Sequence, residues 1–260
     1  MKLFWVLMVI AYTPRGTYGQ TAQNSSPVPI LVELFTSEGC SSCPPADDLL
    51  QRMDASQPAP GAQLIVLSEH VDYWNHDGWK DPYSSPSLTE RQSGYVRALG
   101  LNTAYTPQMI VDGASELKAS GSQQLIQALQ KATSAPKIPV RISSVRVESA
   151  LLQAHVEVDG TSQKHNADIY IVVARDHAES QVLRGENSGR HLAHVAVAED
   201  FTRIGKLEKK KSFSKDIQIK LKPGIEPSNI RVIAFVQESG PGKIVGAALQ
   251  KNTNSVATIN

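Results

Sequence analysis

Of the 260 residues in this chain, two are cysteines, and they stand three apart in Cys40-Ser41-Ser42-Cys43. A disulfide-stapled exported scaffold spreads several cysteines along its length, so a single local pair needs its own explanation. The chemistry open to two neighbouring thiols is disulfide exchange: one thiolate attacks and the other resolves the mixed disulfide. An apolar run, Ile30-Leu31-Val32-Glu33-Leu34-Phe35, precedes the pair, and Pro44-Pro45 follows it. That spacing predicts a buried strand, a turn, and then the first turn of a helix, where proline is tolerated. Unpaired N–H groups and the helix dipole at such a start favour a thiolate on Cys40, with Cys43 one turn inside to resolve it. The hydroxyls of Ser41 and Ser42 can add hydrogen bonds to sulfur, whereas the Glu38 carboxylate works the other way by raising a nearby thiol pKa. Two alternatives stand beside exchange. A structural disulfide here would close so short a loop that it constrains the unfolded chain little. A metal site could draw on both thiolates with His70, Asp72 or His76, but without a second C-x-x-C the ligand set is incomplete, and no metal is expected.

Other residues join the pair by position. Thr106-Pro107 stands immediately before a predicted strand over 108–111, where a cis X–Pro bond would turn the preceding backbone towards the cysteines and an extended substrate. His70-Val71-Asp72-Tyr73-Trp74 leaves the second predicted strand at its C-terminal end, where the ligand sites of parallel sheets gather. His70, Asp72 and Trp74 either line a substrate groove or belong to a loop that packs Trp74 and Trp79 over the sheet. Glu33, within a buried strand, is either a proton acceptor for the cysteines or a structural acid held by an ion pair. His191 and His194 have no acidic third ligand in a recognisable pattern and read as ordinary strand or loop residues. The Gly185–Gly189 loop either binds something or contacts the first domain, and its composition fits a plain turn equally well. No G-x-S-x-G elbow occurs, so a serine hydrolase is not supported.

The elements that must position these residues alternate in the first half. A helix follows Cys43 and stops in the 57–61 stretch; a strand covers 64–67 and a helix 90–99. Strands at 108–111 and 115–118 flank the turn Asp112-Gly113, and a helix runs over 123–133. Beyond the Pro-interrupted 134–139 segment the texture becomes β-prone at 140–149, 151–158, 168–175, 212–221 and 230–237. Strand, C-x-x-C, helix, strand, helix, Thr-Pro, hairpin and helix resembles the thioredoxin arrangement over about residues 30–135. The strings from Glu33 to Asp47, His70 to Trp74 and Tyr105-Thr106-Pro107-Gln108 resemble those of a family of secreted bacterial proteins of unassigned function that carry a thioredoxin-like domain. That resemblance continues through Arg184 to Arg190. It implies a fold class of an α/β thioredoxin-like domain followed by a smaller all-β sandwich-like domain, and an extracytoplasmic compartment, but no substrate. The chain departs from typical thioredoxins in its Ser-Ser interior, the missing aromatic before Cys40 and the two prolines after Cys43, which leaves redox potential and direction open.

Lys2, the apolar run 3–12, and small residues at Thr17 and Gly19 describe a secretory signal peptide over 1–19. The expected organisation continues with a flexible lead-in at 20–29, the thioredoxin-like domain at 30–135, a linker at 136–139, the β-sandwich-like domain at 140–252 and a tail at 253–260. A net charge of +1 gives no electrostatic reason to expect nucleic acid. The expected protein is secreted or periplasmic, with no integral membrane span after signal cleavage. Its expected function is extracytoplasmic thiol–disulfide oxidoreductase or thioredoxin-like redox protein, with Cys40 and Cys43 catalytic and Thr106, Pro107, His70, Asp72 and Trp74 at the substrate. The partner would be a protein or small-molecule thiol or disulfide, and no organic cofactor is needed. The alternative is a non-catalytic envelope-associated binding module.

Overall fold

The computed structural model describes residues 26–118, 122–160 and 166–252. The expected signal peptide, most of the lead-in and the tail lie outside the described residues.

Strand β1 (Val28–Thr36) is apolar on both faces and therefore sits inside a sheet. Its Ile30, Val32 and Leu34 meet helices α1 (Pro44–Ser56) and α3 (Ser122–Thr133), while Leu31 packs on the opposite face with Leu88 of α2 (Pro86–Ala98). Through the α1 crossover, β1 pairs in parallel with β2 (Ala62–His70), Ile30 opposite Leu64. On its other side β1 pairs antiparallel with β3 (Gln108–Val111), which turns back into β4 (Ser115–Lys118).

The second half supplies β5 (Val140–Glu148), β6 (Leu151–Val158), β7 (Ala167–Gln181), β8 (His191–Leu207), β9 (Phe213–Lys220), β10 (Ile230–Glu238) and β11 (Ile244–Lys251). β8 is long enough to run antiparallel along β7 and also to reach β2, which it meets in parallel at Ser68 and Val197. The result is one eight-stranded mixed sheet in the order β11-β10-β7-β8-β2-β1-β3-β4. A three-stranded sheet, β5-β6-β9, covers one face of the β7 and β10 region. Strict alternation places Leu152, Ala154, Val156 and Val158 of β6 against Ile169, Ile171, Val232 and Ala234.

This architecture overturns the expected fold class. Among the described residues the protein is mostly β, one large mixed sheet plus a small one with three α-helices, and not an α/β thioredoxin-like domain followed by a smaller all-β domain. The physical cause is β8. Its alanine- and histidine-rich start, His-Leu-Ala-His-Val-Ala-Val-Ala, carries a weak strand signal, yet it pairs with β2 and carries the sheet of the first half on into β7, β10 and β11. Side chains reinforce the junction. Fully buried Arg231 on β10 donates to both carboxylate oxygens of Asp54 on α1, at 2.9 Å each, and to Asp176 of β7. Among the described residues no helix is long and apolar enough to cross a membrane.

Candidate functional site

Cys40 and Cys43 are joined by a disulfide, with their Cα atoms 5.4 Å apart, in the tight turn between β1 and α1. The turn is held by its own backbone: Cys40 N–H donates to the Ser37 carbonyl and Cys43 N–H to that of Cys40. Pro44 and Pro45 begin α1 directly after it, so the first two helical positions offer no N–H to a sulfur anion. The nearby donor is the Ser42 hydroxyl, 3.4 Å from Cys40 Sγ. Both cysteines have no exposed surface, although Ser41 and Ser42 between them are exposed.

The opposite half of the chain also contacts this turn. The loop between β7 and β8 folds over the turn, and its Asn187, 1 % exposed, donates from Nδ2 to the carbonyls of Glu38 (2.8 Å) and Cys40 (2.9 Å). Glu186 accepts the Ser41 N–H at 3.1 Å, and the Ser41 side chain together with that N–H holds its carboxyl below the ordinary value. Gly185 carries φ +76°, and a Cβ there would stand 3.0 Å from the Asp77 carbonyl, so glycine lets this loop lie against the 77–79 segment. The Arg184–Arg190 motif is thus a contact to the first half of the chain.

Beneath the turn lies a buried cluster of charges. Glu38, two residues before Cys40, has no exposed surface. It accepts from Trp79 Nε1 at 2.7 Å and from Ser180 of β7, and lies 3.4 Å from His194 Nε2 of β8. His194 Nδ1 faces Asp47 of α1 at 3.8 Å; at these separations both contacts are ion pairs rather than hydrogen bonds. Burial pulls the His194 pKa down, but Asp47 and Glu38 outweigh it and hold the value at about 9. His70 stacks edge-on against His194, ring centres 4.6 Å apart, and its Nδ1 pairs with Asp81 at 2.8 Å. Burial would raise the Asp81 carboxyl, yet His70 and the N–H groups of Glu38 and Tyr83 bring it below its ordinary value.

The peptide bond between Thr106 and Pro107 is cis. Trp74 connects it to the cysteine turn: its Nε1 donates to Thr106 Oγ1 at 2.8 Å, and its Cβ lies where a side chain on Gly39 would need to be. Asp72 receives the Thr89 hydroxyl at 2.5 Å and so ties the loop to α2. Glu33 points to the α2 face. Its oxygens accept from Arg91 Nε (2.8 Å) and from the Tyr95 hydroxyl (2.6 Å), with Glu69 sharing the same guanidinium at 3.5 Å. Burial, then the neighbouring Glu33, pushes the Glu69 pKa well above its ordinary value. His76 is exposed. Among the described residues no group of three or more His, Cys, Asp or Glu side chains is arranged to hold a metal ion.

Sequence reasoning set His194 aside together with His191. Three residues apart on a strand, the two point to opposite faces: His191 reaches exposed Glu179, while His194 enters the cluster. Asp81 carried no distinguishing local signal; Asp47, Glu186 and Asn187 lie within the strings that carry the family resemblance, but their parts here depend on contacts between the two halves of the chain.

Fold and site together define a β-dominated mixed-sheet protein with one local C-x-x-C disulfide under a loop from its second half. The chain belongs to the family described as protein of unknown function DUF1223, whose model matches residues 31–237. It is similar to the solved protein AGR_C_4864 from Agrobacterium tumefaciens, at 27 % identity and a TM-score of 0.69, over 89 % of this chain and 97 % of that one. HBP35 of Porphyromonas gingivalis shares the fold at 16 % identity and a TM-score of 0.63, over 91 % of this chain and 79 % of that one. No curated protein matches the chain.

Proposed function

We propose that this protein is an extracytoplasmic thiol–disulfide oxidoreductase using Cys40 and Cys43. The observation that supports this most is the disulfide's place, in a turn between β1 and α1 that Trp74 connects to cis Thr106–Pro107. In the reduced protein the Cys40 thiolate attacks a substrate disulfide, forming an S–S bond to one substrate sulfur and releasing the other as thiolate. The Cys43 thiolate then attacks Cys40 Sγ, closing the Cys40–Cys43 bond and releasing the second substrate thiol. Two electrons pass to the substrate, and a dithiol protein or small-molecule thiol returns them; run backwards, the same steps oxidise a dithiol. The Ser42 hydroxyl stabilises sulfur charge during these steps, and Thr106 with Pro107 presents backbone to an extended substrate. Export under the N-terminal signal places the pair where disulfides persist.

A second reading is favoured by the complete burial of both cysteines: a binding module of the cell envelope that keeps the disulfide without turnover. One assay separates the two. Reduction of a model protein disulfide such as insulin, with dithiothreitol as electron source, should be accelerated by the wild-type protein and not by Cys40→Ser. Acceleration that survives in Cys40→Ser, or none in the wild type, would sink the redox reading.

A further inference from the structure

We infer that the Glu186–Asn187 loop is a latch that must lift from the Cys40–Cys43 turn before the disulfide can react. The inference deepens the redox reading above by naming the regulation of that site. Three hydrogen bonds define the closed state, and all of them end on backbone groups flanking the attacking cysteine: the carbonyls of residues 38 and 40 and the N–H of residue 41. An extended disulfide substrate approaching Cys40 needs such backbone groups, so the Asn187 carboxamide and the Glu186 carboxylate occupy its place. The latch also shapes the electronics of the pair. With Pro44 and Pro45 lacking N–H groups, the Ser41 N–H is a backbone donor next to Cys40, and in the closed state the Glu186 carboxylate takes it. Lifting the loop therefore clears the backbone on both sides of Cys40, frees a donor for the developing thiolate, and removes a negative charge that would oppose it.

The two bonds of Asn187 are buried, whereas Glu186 is exposed, so Asn187 is the main fastener and Glu186 the lesser one. Leu183, on the same loop and 68 % exposed, supplies the control. The test follows the reduction of the oxidised full chain by dithiothreitol, with thiols trapped by iodoacetamide and counted by mass. Asn187→Asp keeps the shape but turns acceptor against acceptor, and Asn187→Ala removes the donor. Each should raise the reduction rate about tenfold or more, as expected for two lost hydrogen bonds of ordinary net strength. Glu186→Ala should raise it about threefold, by the lesser strength of an exposed contact. Leu183→Ser should leave it unchanged. Rates within twofold of wild type for the folded Asn187 variants would overturn the latch, as would an equal acceleration in Leu183→Ser. Should the Asn187 variants not fold, no acceleration in Glu186→Ala overturns it. Because dithiothreitol reads the disulfide directly, the outcome is independent of turnover. A latch without insulin reduction refutes the oxidoreductase and keeps the latch, and insulin reduction with unaltered variants does the reverse.

Discussion

His194 carries a charge where water does not reach, and the carboxylates of Glu38 and Asp47 set the pH range in which that charge stabilises the fold. Its folded pKa of about 9 lies above the ordinary 6.5, so the contribution is fully present below pH 6.5 and is lost as pH rises through 9. The difference corresponds to about 3 kcal/mol. Urea titrations from pH 6 to 10 should show stability falling across that window in the wild type. In His194→Gln the slope should be flatter and the starting stability lower by about 3 kcal/mol, because buried Glu38 and Asp47 lose the cation they share. An identical slope in the variant would assign the pH dependence to other groups. The same cluster lies directly under the cysteine turn, so loss of the His194 charge should loosen that turn before it loosens the distant β5-β6-β9 sheet. Hydrogen exchange at pH 9.5 compared with pH 6 measures that order.

At the scale of elements, the molecule depends on how the second half is laid against the first. Arg231 joins β10 to α1 and β7 through Asp54 and Asp176, with its guanidinium fully buried. Arg231→Ala leaves Asp54 without its cation and Asp176 with Lys251 alone, and the expected loss is about 3–5 kcal/mol in urea unfolding at neutral pH. Gly246 marks the crossing of β11 and the segment that follows α3. A Cβ there would stand 2.3 Å from the Ile138 carbonyl oxygen, which is backbone and cannot rotate away. Gly246→Ala should therefore displace Ile138 and its N–H bond to the Val245 carbonyl, with a loss of about 1–3 kcal/mol typical of overpacking. A stability within a few tenths of a kcal/mol of wild type would show that the segment yields freely.

For the whole molecule, the shared sheet has a direct consequence. Residues 26–135 produced alone would expose the edge of β2 that β8 covers, together with apolar Val66 and Leu34, which pack with Val195 and Ala196. Such an uncovered edge invites aggregation. The expected outcome is that this fragment fails to give a dispersed, cooperatively unfolding species, whereas the full chain unfolds in one transition, read by circular dichroism and tryptophan fluorescence together. A fragment with native-like dispersion in an NMR spectrum would contradict this account. Membership of the DUF1223 family, whose model spans 31–237, agrees with a structural unit that crosses the middle of the chain.

Much of the local structure was legible because local physics sets it. The prolines after Cys43 and the apolar face of α1, the Asp112-Gly113 turn between β3 and β4, and the alternation of β6 depend on neighbours within a few residues, and these elements lie close to their expected spans. So does the cysteine pair, whose separation of three residues places the two thiols within bonding reach. β8 and β11 went unread, since alanine, glycine and histidine become strand residues there through the partners they meet. The site divides along the same line. The sequence by itself determined that two cysteines would meet at the start of a helix. Only the tertiary structure decided that they would be buried, that His194 would be charged beneath them, and that Asn187 would close over them. Each of those facts depends on contacts more than a hundred residues apart, which no local pattern encodes.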